Sequence, residues 1–324
     1  MNHALRIHEY GGPEKMLWEE VPLPAPKPGE ALVRHSAVGL NYIDVYFRNG
    51  LYKAPALPAV IGMEAAGVVE AVGEGVKEVA PGDHVAYAGG PIGAYAEARV
   101  MKADRLVRIP AGITDDTAAA MMLQGMTAQY LIRRTFRVQP GQTILVHAAA
   151  GGVGLILCQW AKALGATVIG TVSTEEKAAL ARANGAAHVV LTHEDLPARV
   201  KEITGGAMVP VVYDSVGKDT FMASLDCLAP LGMMVTFGNA SGPVPPVDPG
   251  LLSAKGSLFL TRPTMATYTA KREDLMASAE DLFAAVASGQ VKISINQEWS
   301  LRDAADAHRA LEARLTTGST ILRP

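Results

Sequence analysis

The 324-residue chain has little of several features that define whole classes of protein. It has two cysteines, Cys158 and Cys227, in separate apolar segments, where we expect buried free thiols and not a disulfide. No apolar run approaches the ~20 residues of a membrane span, and the first residues have neither an apolar signal core nor an Arg-rich transit pattern. We therefore expect a soluble, cytoplasmic protein without a membrane partner.

Charge is also scarce, since 19 % of the residues are charged and the net charge is -3. Such a charge provides no general attraction to nucleic acid. The basic run of Arg133, Arg134 and Arg137 is better explained as the solvated face of a helix, so nucleic acid is not expected as a main partner. Hydrophobic residues make up 49 % of the chain, which is typical of a well-packed globular protein long enough for two domains.

The first third of the chain is predicted to be rich in strands. ALRIHEY, EALVRHSAVGL, AAGVVEAVG, DHVAYAG and GAYAEARV have alternating or apolar patterns separated by Gly and Pro. One short helix is predicted at NYIDVYFRNG, where Gly50 stands at the position of a helix-terminating glycine. VGEGVKEVAPGDHV is interpreted as a hairpin between short strands.

From about residue 115 helices and strands alternate. DDTAAAMMLQGMTAQYLIRR has the pattern of one long helix, TILVHA of a strand and GGVGLILCQWAKAL of a helix. The alternation continues to GMMVTFG and then to SLFLT, interpreted as a last buried strand. This order predicts an α/β fold with a doubly wound parallel sheet.

The turn at Ala149–Gly154 is a candidate dinucleotide site, because it follows an apolar strand and opens an apolar helix. It has the form A-x-G-x-x-G, in which Gly151 lets the backbone approach a pyrophosphate and Gly154 lets the helix pack on the sheet. Alanine in place of the first glycine is compatible with a negative φ.

The acidic residue that NAD sites place after the next strand is missing here. Ser173 and Thr174 stand in its place and Lys177 follows, so hydroxyls and an ammonium are available to a 2′-phosphate. Alternatively, Ser173 caps the next helix with Glu176 in a capping box, and Lys177 is merely solvated. The missing acid favours NADPH over NADH.

The motifs GLNYIDVYFRNGLY, PAVIGMEAAGVVEAVGEGVKEVAPGDHVAY, LQGMTAQYL, AAAGGVG, VVYDSVG and LTRP, in this order, resemble the zinc-free quinone oxidoreductase, or zeta-crystallin-like, branch of the medium-chain dehydrogenase/reductase superfamily. The resemblance implies a GroES-like, β-rich catalytic domain formed by residues 1–123 and 263–324. It also implies a Rossmann NADPH-binding domain formed by residues 124–262. It further permits a homodimer, paired through the edge strand near Ser257–Thr261.

Zinc enzymes of this superfamily use a Cys near the position of Asn41 and a His in a G-H-E motif. In this chain the motif is Gly62-Met63-Glu64, and methionine is not a plausible zinc ligand. The four-cysteine structural lobe is absent as well. We therefore expect NADPH as the cofactor and no zinc.

Candidate catalytic residues are hydrogen-bond donors that can stabilise a delocalised negative charge after hydride addition. They are Asn41, Tyr46, Tyr52 and Gln124, of which the family places Asn41 near the nicotinamide and the tyrosines around the substrate cleft. Asn41 is also a candidate N-cap and Tyr46 a candidate core aromatic. Gln124 occupies a position that is Lys in some relatives.

The candidate cofactor-binding residues combine the turn with matches to the family's motifs. They are Asn41, Thr127, Ala150, Gly151, Gly152, Val153, Gly154, Ser173, Thr174, Lys177, Thr192, Ser215, Phe237, Gly238, Ser241, Phe259, Thr261 and Arg314. Thr192 stands where relatives often have a tyrosine that packs on the adenosine, and Arg314 is alternatively a solvated arginine at a helix end.

These features predict an oxidoreductase that transfers a hydride from NADPH to a quinone without zinc. Reduction of an enone or alkenal double bond is the alternative within the same chemistry. A third hypothesis is an NADPH-binding protein with little catalytic role.

Overall fold

A computed structural model describes residues 1–324, and the contacts of the chain divide it into two units. Unit 1 consists of Met1–Met126, Thr269–Ala287 and Ile293–Pro324, so both ends of the chain contribute to it. Unit 2 consists of Thr127–Tyr268 and Ser288–Lys292. Each unit is described by itself below.

The first part of unit 1 is built mainly from strands. Its elements are β1 (His3–Ile7), β2 (Met16–Glu20), β3 (Glu30–Leu40), α1 (Tyr42–Asn49), β4 (Ala59–Val60), β5 (Glu64–Val72), β6 (His84–Ala88), β7 (Ala98–Lys102), β8 (Val107–Arg108) and α2 (Asp115–Ala119). The helix α1 ends as predicted, with Gly50 in the left-handed conformation at φ 82°.

Helix α3 (Met122–Tyr130) begins in unit 1 and leads into unit 2. The further elements of unit 2 are β9 (Thr143–Val146), α4 (Gly152–Ala163), β10 (Thr167–Val172), α5 (Glu175–Ala183), β11 (His188–Leu191), α6 (Leu196–Ile203), β12 (Val209–Asp214), α7 (Phe221–Asp226), β13 (Leu228–Thr236), α8 (Pro249–Ala254), β14 (Phe259–Thr261) and α9 (Met265–Tyr268). The chain then returns to unit 1 with α10 (Arg272–Ala287), β15 (Ile295–Ser300), α11 (Ala304–Glu312) and β16 (Ser319–Arg323).

Two sheets form unit 1. A three-stranded sheet has the order β2-β1-β4, and a seven-stranded sheet has the order β15-β16-β3-β5-β6-β8, with β7 paired to β3. The predicted hairpin is confirmed by the antiparallel pairing of β5 with β6. Alternate residues of these strands point into one apolar core that includes Leu5, Val33, Val69 and Leu322.

Unit 2 has one six-stranded sheet of order β11-β10-β9-β12-β13-β14, in which all strands are parallel. This confirms the predicted doubly wound α/β fold. The chain reverses its direction of winding between β9 and β12, which is where ligands bind in open sheets of this kind. None of the helices combines the length and the apolar character that a bilayer crossing needs.

Two local predictions were wrong, and some strands were missed. The long helix after residue 115 is broken into α2 and α3, because a buried carboxylate from β5, that of Glu64, accepts a hydrogen bond from the Leu123 N–H and so starts a new helix there. SLFLT is not a buried strand, since Phe259 is 56 % exposed on β14, which pairs on one side only. The strands β2, β4, β8 and β15 were not predicted.

Candidate active site

The turn after β9 has the geometry of a phosphate cradle. A Cβ at Gly154 would collide with the Ala148 carbonyl oxygen, so only glycine allows α4 to pack this closely. A Cβ at Gly151 would meet a single atom, the same oxygen at 3.3 Å, so this face of the turn is open. The 12-residue helix α4 begins here, and the N–H groups of its first turn can donate hydrogen bonds to an anion such as a pyrophosphate.

Most of the predicted cofactor residues of unit 2 lie at the carboxyl edge of its parallel sheet. The edge includes the turn after β9 with Ala150, Gly151, Gly152, Val153 and Gly154, and it also includes Ser173, Thr174, Thr192, Ser215, Phe237, Gly238, Ser241 and Thr261. Phe259 does not join them, because it begins β14 and lies toward the opposite edge. Thr127 lies in α3, where it is buried and hydrogen-bonded to Tyr130.

The segment after β10 settles one alternative from the sequence. Thr174, and not Ser173, is the N-cap of α5: its hydroxyl accepts a hydrogen bond of 3.2 Å from the Lys177 N–H. Ser173 is exposed and Lys177 half-buried. No carboxylate lies at the end of β10 itself, since the first acids of the segment, Glu175 and Glu176, belong to α5.

A buried polar chain behind the turn was not predicted. His147 is 2 % exposed; its Nδ1 lies 2.9 Å from the Thr171 hydroxyl and its Nε2 lies 2.9 Å from the Ser224 hydroxyl. Ser224 in turn donates to Asp214 Oδ2 at 3.2 Å. Burial lowers the pKa of His147 below its usual range. The imidazole therefore joins the ends of β9, β10 and β12 as a neutral group, directly before Ala148, whose φ is 51°.

The Asp214 carboxylate also holds the loop after β12. Its Oδ1 accepts hydrogen bonds from the N–H groups of Val216 at 2.7 Å and Gly217 at 3.1 Å, and its Oδ2 accepts one from the Thr220 hydroxyl at 2.7 Å. The loop that carries Ser215 is thus fixed from within the protein. The signal in the sequence is a polar pair, His147 and Asp214, at the ends of two apolar strands.

In unit 1 the structure brings Asn41 and Gln124 together. Asn41 is the N-cap residue of α1 and is 4 % exposed. Its Oδ1 accepts a hydrogen bond of 3.2 Å from Gln124 Nε2, and its Nδ2 donates one of 2.6 Å to Glu64 Oε2. The capping and binding hypotheses for Asn41 are therefore compatible. Asn41 occupies the N-cap position of α1, while its side-chain amide is hydrogen-bonded to Gln124 and Glu64.

Tyr46 and Tyr52 also lie together. Their ring centroids are 5.2 Å apart in an edge-to-face arrangement, and the Tyr52 N–H donates to the Tyr46 carbonyl at 3.0 Å. Tyr46 is only 6 % exposed, so the prediction of a core aromatic is confirmed for its ring. Tyr52 is half-buried. Arg314 lies just after α11, exposed, at φ 60°.

A second buried carboxylate, Asp44, holds the backbone of Asn41. Its Oδ2 accepts hydrogen bonds from the Asn41 N–H at 2.9 Å and from the Tyr95 hydroxyl at 3.0 Å. Burial raises the pKa of Asp44 to about 7. Burial also raises the pKa of Glu64 to about 8, against the opposing effect of its hydrogen bonds with Asn41 and Leu123. Two buried acids that titrate near neutrality therefore flank Asn41.

The network extends from Tyr95 to the surface. His308 Nε2 lies 3.0 Å from the Tyr95 oxygen, and Arg48 Nη1 lies 3.0 Å from His308 Nδ1. Because a guanidinium only donates, Nδ1 accepts and Nε2 carries the proton. Burial lowers the pKa of His308 to about 3. Arg48, itself 2 % exposed, makes two bonds of 2.8 Å to the half-buried Glu312.

No group of three or more His, Cys, Asp or Glu side chains is arranged to hold a metal ion. Met63, at the position of the zinc-ligating histidine in related enzymes, is half-buried before β5. His84 and His35, the histidines nearest in sequence, have other partners, Asp115 and the Ala96 carbonyl.

Two family models match the chain, "Alcohol dehydrogenase GroES-like domain" over residues 27–111 and "Zinc-binding dehydrogenase" over residues 152–283. A quinone oxidoreductase of Pseudomonas aeruginosa is 53 % identical over the full length of both chains. A 2-haloacrylate reductase of a Burkholderia species is 45 % identical over 99 % of this chain and 98 % of its own.

The crystal structure of an Escherichia coli quinone oxidoreductase complexed with NADPH superimposes with a TM-score of 0.98 at 48 % identity, covering 99 % of this chain and 100 % of the other. Identity at this level over whole chains goes beyond a shared fold. The chain belongs to the zinc-free quinone oxidoreductase branch of the medium-chain dehydrogenase/reductase superfamily.

Proposed function

We propose that the protein is an NADPH-dependent quinone reductase. The observation that carries the proposal is the open glycine turn at the start of α4, on the carboxyl edge of a parallel sheet, in a chain that is 53 % identical to a quinone oxidoreductase. The residues present fit a dinucleotide, because the face at Gly151 is open and the absence of a Cβ at Gly154 lets α4 begin close against the turn.

NADPH, when bound, supplies the hydride, and one further proton converts the quinone to the hydroquinone. The chain's own contribution is binding and orientation. The N–H groups at the start of α4 hold the pyrophosphate, and Ser173, Thr174 and Lys177 hold the 2′-phosphate. Asn41 and Tyr52 are the donors proposed for the charge that develops on the acceptor, with Tyr46 shaping the wall behind Tyr52.

The assay is NADPH oxidation with a panel of quinones, small enones and acyl thioesters. We expect turnover with quinones at rates well above those with thioesters. Tight NADPH binding without turnover of any class would contradict the enzyme proposal and favour a binding protein.

The cofactor preference has a separate test in Lys177→Ala. We expect this change to weaken NADPH by about tenfold or more and NADH very little, because one charge-assisted contact contributes roughly 1.5–3 kcal/mol. Lys162→Ala, a lysine at the far end of α4, is the matched control. Equal losses for both cofactors would mean that Lys177 does not contact the 2′-phosphate.

A second candidate activity is reduction of an electron-poor carbon–carbon double bond. It is supported by the 45 % identity to a 2-haloacrylate reductase. The same hydride source and the same donors would serve it, because the charge after hydride addition is again delocalised onto an oxygen. The ratio of kcat/KM for quinones and enones decides between the two.

Two further features complete the proposal. Activity is zinc-independent, since Asn41 and Met63 stand where zinc enzymes have ligands, so a chelator should leave the rate unchanged. A homodimer forms through β14, whose outer edge has no partner strand in this chain and whose Phe259 is 56 % exposed. Phe259→Glu should then reduce the molecular mass measured by light scattering by half, whereas Met222→Glu on α7 should not.

A further inference from the structure

Glu64 is the unexplained residue of the Gly62-Met63-Glu64 segment. In the zinc enzymes the middle residue of this motif is a ligand, whereas here a methionine stands in its place. The acid is kept although there is no zinc site for it to serve. In the structure its carboxylate is hydrogen-bonded to Asn41 and Leu123.

The Glu64 carboxylate lies at the start of β5 with no exposed surface. Its Oε2 accepts a hydrogen bond of 2.6 Å from Asn41 Nδ2, and its Oε1 accepts one of 2.7 Å from the Leu123 N–H. Gly39 on β3 leaves the space for it, since a Cβ there would collide with the carboxyl group. An ionised carboxylate only accepts on both oxygens, whereas an amide would turn its NH₂ donor toward one of these N–H groups and a protonated acid would carry an O–H donor on one oxygen.

The other end of the Asn41 amide is fixed too. Its Oδ1 accepts from Gln124 Nε2 at 3.2 Å, and Gln124 Oε1 accepts from the Ser319 hydroxyl at 2.8 Å. All of these residues are less than 9 % exposed. Each hydrogen bond of this chain has a defined donor and acceptor, so the nitrogen of Asn41 faces Glu64 and its oxygen faces Gln124.

The titratable groups around Glu64 are few. Asp44 on α1, Tyr87 on β6 and Tyr95 in the loop after β6 interact electrostatically with Glu64. The elements packed against β5 add His35 on β3 and Asp115 and Asp116 on α2. Burial raises the pKa of both tyrosines, so they stay neutral. Asp115 and Asp116 are paired with His84 and Arg323. Burial lowers the pKa of His35 to about 4, whereas it raises the pKa of Asp44 to about 7, close to that of Glu64.

We propose that Glu64 is a positioning residue of the reductase site, whose ionised carboxylate holds the Asn41 amide in the orientation that serves the cofactor and the acceptor. The inference rests on the proposed function, in which Asn41 is a donor at that site. A proton on Glu64 places a donor on one of its two oxygens and neutralises the carboxylate, so acidification weakens its hold on the amide. Burial raises the pKa of Glu64 to about 8, which puts this weakening within the range of ordinary assays.

The kinetic test compares Glu64→Gln with Glu70→Gln, the same substitution on the same strand at an exposed residue paired with Arg34. At about pH 9 we expect Glu64→Gln to lower kcat/KM by roughly ten- to a hundredfold, because small misplacements of a positioned group have effects of this size. The wild type should show two ionisations, from Asp44 and Glu64, and Glu64→Gln should lose the more alkaline one. Glu64→Asp, which keeps a carboxylate, should recover part of the rate.

A rate for Glu64→Gln equal to that of the wild type at pH 9, or an unchanged pH profile, would overturn the inference. So would a pH profile of Glu70→Gln that changes in the same way.

A spectroscopic test needs no variant that must remain active. The side-chain amide resonances of Asn41 in ¹⁵N-labelled full-length protein, identified by their loss in Asn41→Ser, report the bond to Glu64. We expect them to move with pH through the Glu64 ionisation and to reach the Glu64→Gln position at low pH. Resonances that do not change with pH across this range would refute the inference even if quinones are reduced. Titrating resonances without quinone turnover would support the hold of Glu64 on Asn41 and refute the proposed function.

Discussion

The buried carboxyl of Glu64 makes the stability of unit 1 depend on pH in a predictable direction. Burial raises its pKa from 4.5 to about 8, so between these values the native state binds a proton that the unfolded state has released. Stability supplied by this proton is complete below about pH 4.5 and is lost as the pH rises through about 8. The slope for one group approaches about 1.4 kcal/mol per pH unit, or about 3 kcal/mol between pH 5.5 and 7.5.

Glu64→Gln removes the titrating group, and the difference in unfolding free energy between wild type and variant isolates it. Asp44 titrates in the same direction, up to about pH 7, but it is present in both proteins and largely cancels. We therefore expect the wild type to lose about 3 kcal/mol relative to Glu64→Gln over these two pH units. The variant should therefore compare less favourably with the wild type at pH 5.5 than at pH 7.5, because only the wild type gains the proton on folding.

The assay is urea unfolding at about pH 5.5, 6.5 and 7.5, followed by tryptophan fluorescence. Trp160 is the only tryptophan of unit 2, so a Trp160→Phe background leaves Trp18 and Trp299 to report unit 1. Glu70→Gln in the same background is the control for surface charge. Parallel stability curves for wild type and Glu64→Gln would refute the premise that Glu64 takes up a proton on folding.

Three further changes test other contacts. Gly154→Ala should abolish NADPH binding and lower the melting temperature, because its Cβ would strike the Ala148 carbonyl, whereas Gly151→Ala should leave the melting temperature within a few degrees of wild type in a thermal scan. Arg48→Met should destabilise the protein by about 3 kcal/mol in urea unfolding, because it removes a buried cation from its carboxylate and imidazole partners. His147→Ala should weaken NADPH binding about tenfold in a fluorescence titration, through loss of hydrogen bonds contributing roughly 1–1.5 kcal/mol.

The parts of the fold that follow from local periodicity were predictable from the sequence. The alternation of apolar strands and amphipathic helices after residue 115 gives the parallel sheet, and the glycines of the turn give the cradle at the start of α4. The break between α2 and α3 was not predictable, because its cause is the Glu64 carboxylate, 59 residues before the N–H that it binds. The burial of Phe259 was misjudged for a different reason: the apolar pattern of SLFLT is that of a buried strand, although the strand lies at the edge of the sheet.

The candidate site divides in the same way. Motif and spacing found Asn41, but neither could show that its two polar atoms are held by Glu64 and Gln124, because the three residues come from separate elements of the chain. The methionine at position 63 does not by itself explain the buried acid next to it, Glu64. A buried carboxylate without a cation beside it is costly, and it persists where several hydrogen bonds depend on it. Here it accepts hydrogen bonds from the Leu123 N–H at the start of α3 and from the amide of Asn41, so one acid links these two elements of unit 1.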